Sequence, residues 1–116
     1  MNEIKEYTEN MFENIKHIDK NGNEYWLARE LQNVLEYHQW RSINDLIERA
    51  KLACLESKYN IDDHFVVQRK MIKLAKNATR SVIDYKLSRY ACYLIVMNGN
   101  PKKSIIALLI LEVLAT

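Results

Sequence analysis

Residues 87–101 read LSRYACYLIVMNGNP, and this stretch predicts the central helix of the domain. Its apolar residues recur at the spacing that places side chains on one face of a helix. These residues are Leu87, Tyr90, Ala91, Leu94 and Ile95. Three further apolar residues, at positions 92, 96 and 97, widen this apolar surface. Because so wide a surface has to be covered, the helix is expected to be buried on most of its sides.

Polar residues and a glycine mark the two ends of this helix. Asp84 or Ser88 is expected to cap its start, because either side chain can accept a bond from a free backbone N–H. Gly99 follows the last apolar residue and is expected to take the left-handed conformation that closes many helices. Asn100 and Pro101 then predict the N-cap and the first position of another helix, which runs to the end of the chain.

The stretch Ile15–Trp26 predicts a β-hairpin near the start of the chain. Its strands, 15–18 and 24–27, flank a polar connection that contains Asn21-Gly22. This dipeptide favours a type I′ turn, because both residues tolerate a positive φ. Residues 1–12 precede the hairpin as a polar lead-in, and residues 13–116 are expected to form a single domain.

Two helices are predicted next, one over 27–35 and one from Trp40 to about residue 57, with a short break between them. One interpretation is a helix-turn-helix, with Arg41, Ser42 and Asn44 as base-contacting residues near the start of its recognition helix. The other is an α-hairpin that packs in the core. Four acidic residues on or beside the second helix favour the α-hairpin, because phosphate repels such a surface.

The stretch Phe65–Tyr85 predicts a second, longer β-hairpin that turns near residues 75–79. A helix over Val66–Lys76 is the alternative, because its apolar residues also fit a helical spacing. As a hairpin, the stretch and its surroundings present a basic surface. The cations expected to contact nucleic acid are Arg69, Lys70, Lys73, Lys76, Arg80, Lys86 and Arg89.

The charge of the chain is divided unequally between its two parts. Residues 1–68 hold 8 Lys and Arg against 13 Asp and Glu, whereas residues 69–116 hold 9 against 2. Such asymmetry indicates a polyanionic partner such as DNA. The alternative is that the acidic part folds over the basic part, so that the charges mix on the surface of one domain.

No residue pattern predicts catalysis, a metal site or a cofactor. Asp62, Asp63 and His64 are adjacent and match no known metal-ligand spacing, so capping or turn bonds are the expected use. Cys54 and Cys92 lie in apolar patterns and are expected to be small buried hydrophobes. Residues 1–12 do not resemble a secretory signal, and the apolar run of residues 105–115 is too short to span a membrane. A cytoplasmic, non-enzymatic protein is therefore expected.

Four blocks of the sequence, in order, resemble the bacterial DNA-damage-inducible protein D family. They are IDKNGNEYWLAREL (18–31), LEYHQWR (35–41), IDDHF (61–65) and DYKLSRYACYLI (84–95). The N-terminal half also resembles the phage Bro-N, or antirepressor, domain. The resemblance implies an α+β, mainly helical, Bro-N-like domain with one or two β-hairpins. It also implies a bacterial or prophage protein of the damage (SOS-type) response, with a DNA-associated or regulatory role and no established enzymatic activity.

Members of this family are longer than the present chain, and the resemblance fails near the C-terminus. From Leu108 onward the sequence reads LLILEVLAT, where the family continues into a polar helix. This departure indicates a truncated or frame-shifted form.

Two functions follow as hypotheses. The first is binding of single- or double-stranded DNA through the basic hairpin, with Tyr85 or Trp40 stacking on bases. The second is an antirepressor-like module that contacts a repressor or a repair protein without touching DNA. In that case Trp40 and the apolar run Ile105–Leu114 are the contact surfaces, and the run also offers a homodimer interface.

Overall fold

A computed structural model describes residues 11–100 and 102–115, with side chains for all of these except 108 and 111–115. Residues 11–14 are helical and precede the first strand. The elements that follow are β1 (His17–Ile18), β2 (Glu24–Leu27), α1 (Ala28–Val34), α2 (Trp40–Glu56), α3 (Ile61–His64), β3 (Phe65–Ala75), β4 (Ala78–Leu87), α4 (Arg89–Met97) and α5 (Ser104–Ala115). The α+β class predicted from the sequence is confirmed.

The four strands form one antiparallel sheet in the order β1-β2-β4-β3. β2 pairs only with the C-terminal end of β4, where Trp26 pairs with Leu87 and Leu27 with Lys86. Phe65 of β3 pairs with the same Leu87 from the other side. All three apolar residues of this row are buried, so the base of the sheet lies in the core.

Helix α4 packs against α2 and α5 at the centre of the molecule. Its buried residues, among them Ala91, Ile95 and Val96, confirm the prediction of a helix covered on most sides. Phe12 is fully buried and stacks on Trp26 at 4.3 Å between ring centroids. The packed domain therefore includes the last residue of the predicted polar lead-in.

The start of α4 is later than predicted. Leu87 belongs to strand β4, and the helix begins at Arg89. Of the two candidate caps, Ser88 is the one used, since its Oγ accepts a hydrogen bond from the Ala91 N–H at 3.0 Å. Leu87 fits both a helical and a strand pattern, and its pairing with two neighbouring strands decides between them.

Gly99 does not adopt the left-handed conformation that the sequence predicted, because only Gly22 among the two glycines has a positive φ. Asn98 closes the helix with right-handed dihedral angles. A Cβ atom on Gly99 would lie 2.5 Å from Cδ1 of the buried Ile106. The glycine is therefore needed for the close approach of α5, and not for the backbone conformation.

The last helix begins at Ser104, a few residues later than predicted. Asn100 still caps a turn, since its Oδ1 accepts a hydrogen bond from the Lys102 N–H at 3.0 Å. Pro101 lies outside the described residues. Lys103 donates from Nζ to the carbonyl oxygens of Leu35 and Glu36, at 3.4 and 3.2 Å. These carbonyls lie at the C-terminal end of α1, where the helix dipole favours a cation.

The first hairpin is confirmed, but its turn is not of type I′. Gly22 has a φ of 83°, whereas Asn21 does not have a positive φ. Asp19 organises the connection, because its Oδ1 accepts hydrogen bonds from the N–H groups of Asn21 and Asn23 at 2.8 and 2.9 Å. An aspartate that bonds to the backbone two residues on is typical of such turns. Because this connection is longer than the two-residue loop of a type I′ turn, one residue with a positive φ is enough to reverse the chain.

Helix α1 receives its N-terminal cap from a strand that is distant in sequence. Its own N-cap residue, Leu27, has no side-chain oxygen to offer. Asp84 of β4 is fully buried and accepts hydrogen bonds at Oδ1 from the N–H groups of Arg29 and Tyr85, at 3.1 and 2.8 Å. The carboxylate also faces the positive end of the helix dipole. Asp84 therefore fixes α1 against the edge of β4, and it is not the cap of α4.

We expect Asp84→Ala to lower the free energy of unfolding by about 1–3 kcal/mol, because two buried N–H groups lose their acceptor. Asp84→Asn keeps an oxygen at the same place, so its loss should be smaller. Glu56→Ala, which removes an exposed carboxylate, is the control. Urea unfolding followed by circular dichroism measures all three, and equal stability of Asp84→Ala and wild type would contradict the capping role.

We expect Gly99→Ala to destabilise the domain by about 1–3 kcal/mol, because the new methyl group overlaps the Ile106 side chain. Ile106→Val removes the very Cδ1 atom that the methyl group would meet. The cost of Gly99→Ala should therefore be smaller in the Ile106→Val background, which a double-mutant cycle of unfolding free energies detects. Strict additivity of the two changes would show that the contact is not the cause.

Candidate nucleic-acid interface

The second hairpin is a long two-stranded ribbon, as predicted. β3 and β4 pair antiparallel from Phe65↔Leu87 to Ala75↔Ala78. The turn is shorter than expected, with only Lys76 and Asn77 between the strands, and Asn77 supplies a φ of 63°. The alternative of a helix over Val66–Lys76 is wrong. Helical spacing was present in the sequence, but cross-strand pairing along the whole stretch decides the structure.

The outer half of this ribbon projects from the body of the protein. Every residue from 73 to 81 is exposed. At its base, Phe65 and Leu87 are buried in the core. The outer four residues of each strand span about 13 Å, so the projecting part has the length of about four base pairs. We call the ribbon of residues 66–83 the arm.

The arm carries only one sign of charge. Its five ionisable residues are all cations, namely Arg69, Lys70, Lys73, Lys76 and Arg80, and all five are exposed. None of them forms an ion pair with the described part of the chain. The remainder of the chain holds 12 Lys and Arg against 15 Asp and Glu. The positive charge is therefore concentrated on the arm instead of being mixed over the surface.

The cations are spread around the arm. Side chains alternate between the two faces of a strand, and directly paired residues share a face. Arg69 and Lys73 therefore lie on one face, while Lys70 and Arg80, which pair with Val82 and Ile72, lie on the other. Lys76 lies at the tip. A groove of a nucleic acid, which has phosphates on both of its walls, matches this distribution.

Lys86 lies at the base of the arm and is half-buried. Its Nζ lies 4.7 Å from the centre of the Tyr25 ring, within the range of a cation–π contact. It belongs to the same strand as Arg80 but contacts the first hairpin. The structure therefore separates Lys86 from the exposed cations of the arm.

Arg89 lies away from the arm and bonds to acidic residues of the body. Its Nε donates to Glu24 at 2.7 Å, and its Nη2 donates to Glu24 at 3.1 Å and to Glu13 at 3.2 Å. The bonds to Glu24 raise the pKa of the guanidinium further. Its plane lies near the Trp26 ring, 5.0 Å from the ring centre. These contacts explain Arg89 as a structural residue that ties α4 to the first hairpin.

The two aromatic residues predicted to stack on bases differ in exposure. Tyr85 is only 6% exposed, and its hydroxyl accepts a hydrogen bond from Lys51 at 3.0 Å, so its ring is not available to a base. Trp40 is half-buried beside it, at 6.4 Å between ring centroids. Arg29 lies 4.2 Å above the Trp40 ring and donates to the Ile83 carbonyl oxygen. Trp40 therefore lies near the base of the arm beside a cation.

The residues of the predicted helix-turn-helix are placed at the start of α2. Arg41 and Ser42 are exposed, and Asn44 is half-buried. The buried side of α2 packs in the core, as the α-hairpin interpretation expects. Ser42 lines a surface groove of about 310 Å³, together with Asp45 and Arg49 of the same helix. An acidic residue thus lies beside the predicted contacts.

The titratable residues outside the arm have structural surroundings. Burial raises the pKa of the Cys92 thiol far above its usual range, and Cys54 is also buried. His64 lies with Nδ1 at 2.6 Å from the Ser88 Oγ, at the start of α4. Asn60, and not an aspartate, caps the short helix α3 by accepting from the Asp62 N–H. Among the described residues, no group of His, Cys, Asp and Glu has the arrangement of a metal site.

Comparison with known proteins shows the class to which this fold belongs. Residues 14–114 match the model of the BRO family, N-terminal domain, and the chain therefore belongs to this family. The chain is also similar to DNA damage-inducible protein D of Escherichia coli (strain K12), with 49% identity over 96 residues. This match covers 83% of the present chain and 35% of the relative, so the chain spans about a third of that protein. No solved structure matches the chain significantly.

These matches confirm the family resemblance that the sequence blocks carried. None of the helices that the structure describes is long and apolar enough to cross a membrane.

We expect Arg89→Met to lower the free energy of unfolding by about 1 kcal/mol, since its carboxylate partners are more than one-third exposed. The same change should leave any affinity for DNA unaltered, because the guanidinium already faces carboxylates. Urea unfolding and DNA binding of the same preparation test both statements. If the variant is fully stable but loses affinity for DNA, Arg89 is a DNA-contacting residue and not a structural one.

The same ion-pair cluster makes stability depend on pH. Lys16, and after it Arg89, hold the pKa of Glu13 below its usual value of 4.5. A lowered pKa in the folded state contributes stability that is complete above about 4.5 and is lost as the pH falls through the folded pKa. Arg89→Met removes part of this shift. Its stability should therefore fall less steeply in acid than that of the wild type, as measured by urea midpoints across pH.

Proposed function

We propose that this domain is a non-enzymatic module of the bacterial DNA-damage response that associates with DNA through its arm. The observation that carries this proposal is the concentration of five exposed cations, without a single acid, on a projecting ribbon. The similarity to a damage-inducible protein supports the biological context. A cytoplasmic location, an SOS-type or prophage origin and a lack of catalysis are parts of the same proposal.

The physical reason is counterion release. Each Lys or Arg that neutralises a phosphate frees condensed cations, so binding weakens as the salt concentration rises. A two-stranded β-ribbon is narrow enough to enter the major groove of duplex DNA. Cations on both faces and at the tip then reach the phosphates that border the groove. Lys86, at the base of the arm, would extend this contact toward the body.

The helix-turn-helix interpretation is a weaker form of DNA contact. Arg41 and Ser42 are exposed on α2, which supports it, whereas the neighbouring Asp45 opposes the approach of phosphate. The arm has no such acidic neighbour until Asp84, which is buried. We therefore assign the main contact to the arm and predict that Arg41, Ser42 and Asn44 contribute little.

A second candidate function is an antirepressor-like contact with a repressor or a repair protein. The family assignment supports it, together with half-exposed Trp40. Part of the predicted homodimer surface has a use inside the domain, since Ile106 and Leu109 are fully buried. A homodimer through Ile105–Leu114 stays a prediction, which sedimentation equilibrium tests.

Lys73, Lys76 and Arg80 changed together to Gln should weaken DNA binding and make it less dependent on salt. For duplex DNA, the slope of log K against log salt should fall by about 0.9 for each phosphate contact that is lost. Fluorescence anisotropy with labelled single- and double-stranded DNA across a salt series measures the affinity and the slope for each form of DNA.

The matched control changes Lys20, Arg49 and Lys58 to Gln, which removes the same charge from exposed positions of the body. This control should keep the wild-type slope. Equal slopes in the arm variant and the control would overturn the assignment to the arm. A loss confined to Arg41→Ala or Asn44→Ala would assign the contact to the helix-turn-helix instead.

A further inference from the structure

Strand β3 forms an open edge of the sheet along its whole length. It is the terminal strand in the order β1-β2-β4-β3 and has 11 residues, whereas the other edge strand, β1, has 2. Within the described ranges, the backbone groups of residues 66–75 bond to β4 and to no other element. The outward N–H and C=O groups of β3 are thus available to another strand.

The side chains along this edge combine apolar and cationic character. Four large apolar side chains of β3 are exposed, at 46% for Val66, 56% for Val67, 63% for Met71 and 57% for Leu74. On one face Val67, Arg69, Met71 and Lys73 alternate, by the two-residue period of a strand. Solvated apolar side chains on an open edge invite pairing, and the interposed cations restrict which strands can pair.

The cations of β3 restrict which strand can pair with its free edge. A second copy of β3 would bring Arg69, Lys70 and Lys73 against the same cations, and like charges on paired strands repel. A strand that places, on one face, acidic residues beside Arg69 and Lys73 and apolar residues beside Val67 and Met71 would meet opposite charge and apolar surface instead. We propose that the free edge of β3 binds an extended, acidic segment of a partner protein as an added strand.

This added strand would regulate the arm, a consequence that rests on the proposed function. Arg69, Lys70 and Lys73 are three of the five cations assigned to phosphate contact. Carboxylates beside them neutralise that charge, and the added strand widens the ribbon by about 4.8 Å, so that it no longer fits a groove. The acidic segment and DNA therefore exclude one another.

The probe is a fluorescein-labelled peptide of about nine residues in which valine and glutamate alternate along one face and threonine fills the other face, long enough to span ~30 Å of β3. The control peptide has the same sequence with an N-methyl group on every backbone nitrogen, so that neither of its edges can donate. N-methylation keeps the charge and the side chains but removes the backbone donors. Fluorescence anisotropy with the full chain measures both affinities.

We expect the unmodified peptide to bind about tenfold more tightly than the N-methylated one, because only the former completes the ladder. Arg69→Glu with Lys73→Glu should weaken the unmodified peptide by at least about tenfold, while the Lys20, Arg49 and Lys58 control should bind normally. Amide exchange measured by NMR should slow at alternate residues of β3 and remain unchanged in α4.

Equal affinity of the two peptides would overturn the proposal, since it would reduce the interaction to unspecific charge attraction. Failure of the unmodified peptide to bind would overturn it as well. Self-association of the chain through β3, detected by sedimentation and abolished by Arg69→Glu with Lys73→Glu, would assign the edge to a second copy.

Competition with DNA separates this proposal from the proposed function. Displacement of labelled DNA by the peptide supports both. Peptide binding in a chain that has no affinity for DNA leaves the edge proposal standing and refutes the DNA contact. Simultaneous binding of peptide and DNA overturns the regulatory consequence.

Discussion

The hydrogen bonds of the Asp84 carboxylate fix the arm, residues 66–83, relative to the rest of the domain, which is the body. The same strand that carries Asp84 has Leu87 in the core at one end and Arg80 in solvent toward the other. By accepting from the Arg29 N–H, Asp84 fixes α1 where β2 no longer pairs with β4. The body therefore ends near Asp84 and Val82, and toward the tip every residue from 73 to 81 is exposed.

This boundary also separates two kinds of electrostatics. Within the body, several cations are used in packing: Arg89 bonds to two glutamates, Lys103 bonds to carbonyl oxygens at the C-terminal end of α1, and Lys51 bonds to Tyr85. Beyond Asp84, the cations of the arm face water. Cations that already have acidic or carbonyl partners gain little from a contact with phosphate. The charge of the arm cations is not neutralised by such partners among the described residues, so these cations attract a polyanion more strongly. Both proposals for this chain, DNA and an acidic strand, use that attraction.

Several elements followed from local patterns. The first hairpin could be predicted from its Asn21-Gly22 dipeptide, and helix α2 with its buried stripe and the buried helix α4 could be predicted from their apolar spacing. The candidate cations of the arm were also identified in the sequence, where residues 69–80 hold five Lys and Arg and no acid. Phe65–Tyr85 was predicted as a hairpin beside a helical alternative, because its apolar spacing fits both.

The sequence by itself determined most of the elements, the asymmetry of charge and the family, because apolar spacing, composition and short sequence blocks do not depend on contacts between distant residues. Only the tertiary structure decided which cations are free. Arg89 and Arg80 are the same residue type, yet one meets Glu24 from a distant strand and the other meets water. The tertiary structure also decided that a glycine is needed at position 99, where Ile106 approaches closely, and that Asp84 caps the N-terminus of α1. Each of these facts depends on contacts between residues far apart in sequence, which no local spacing encodes.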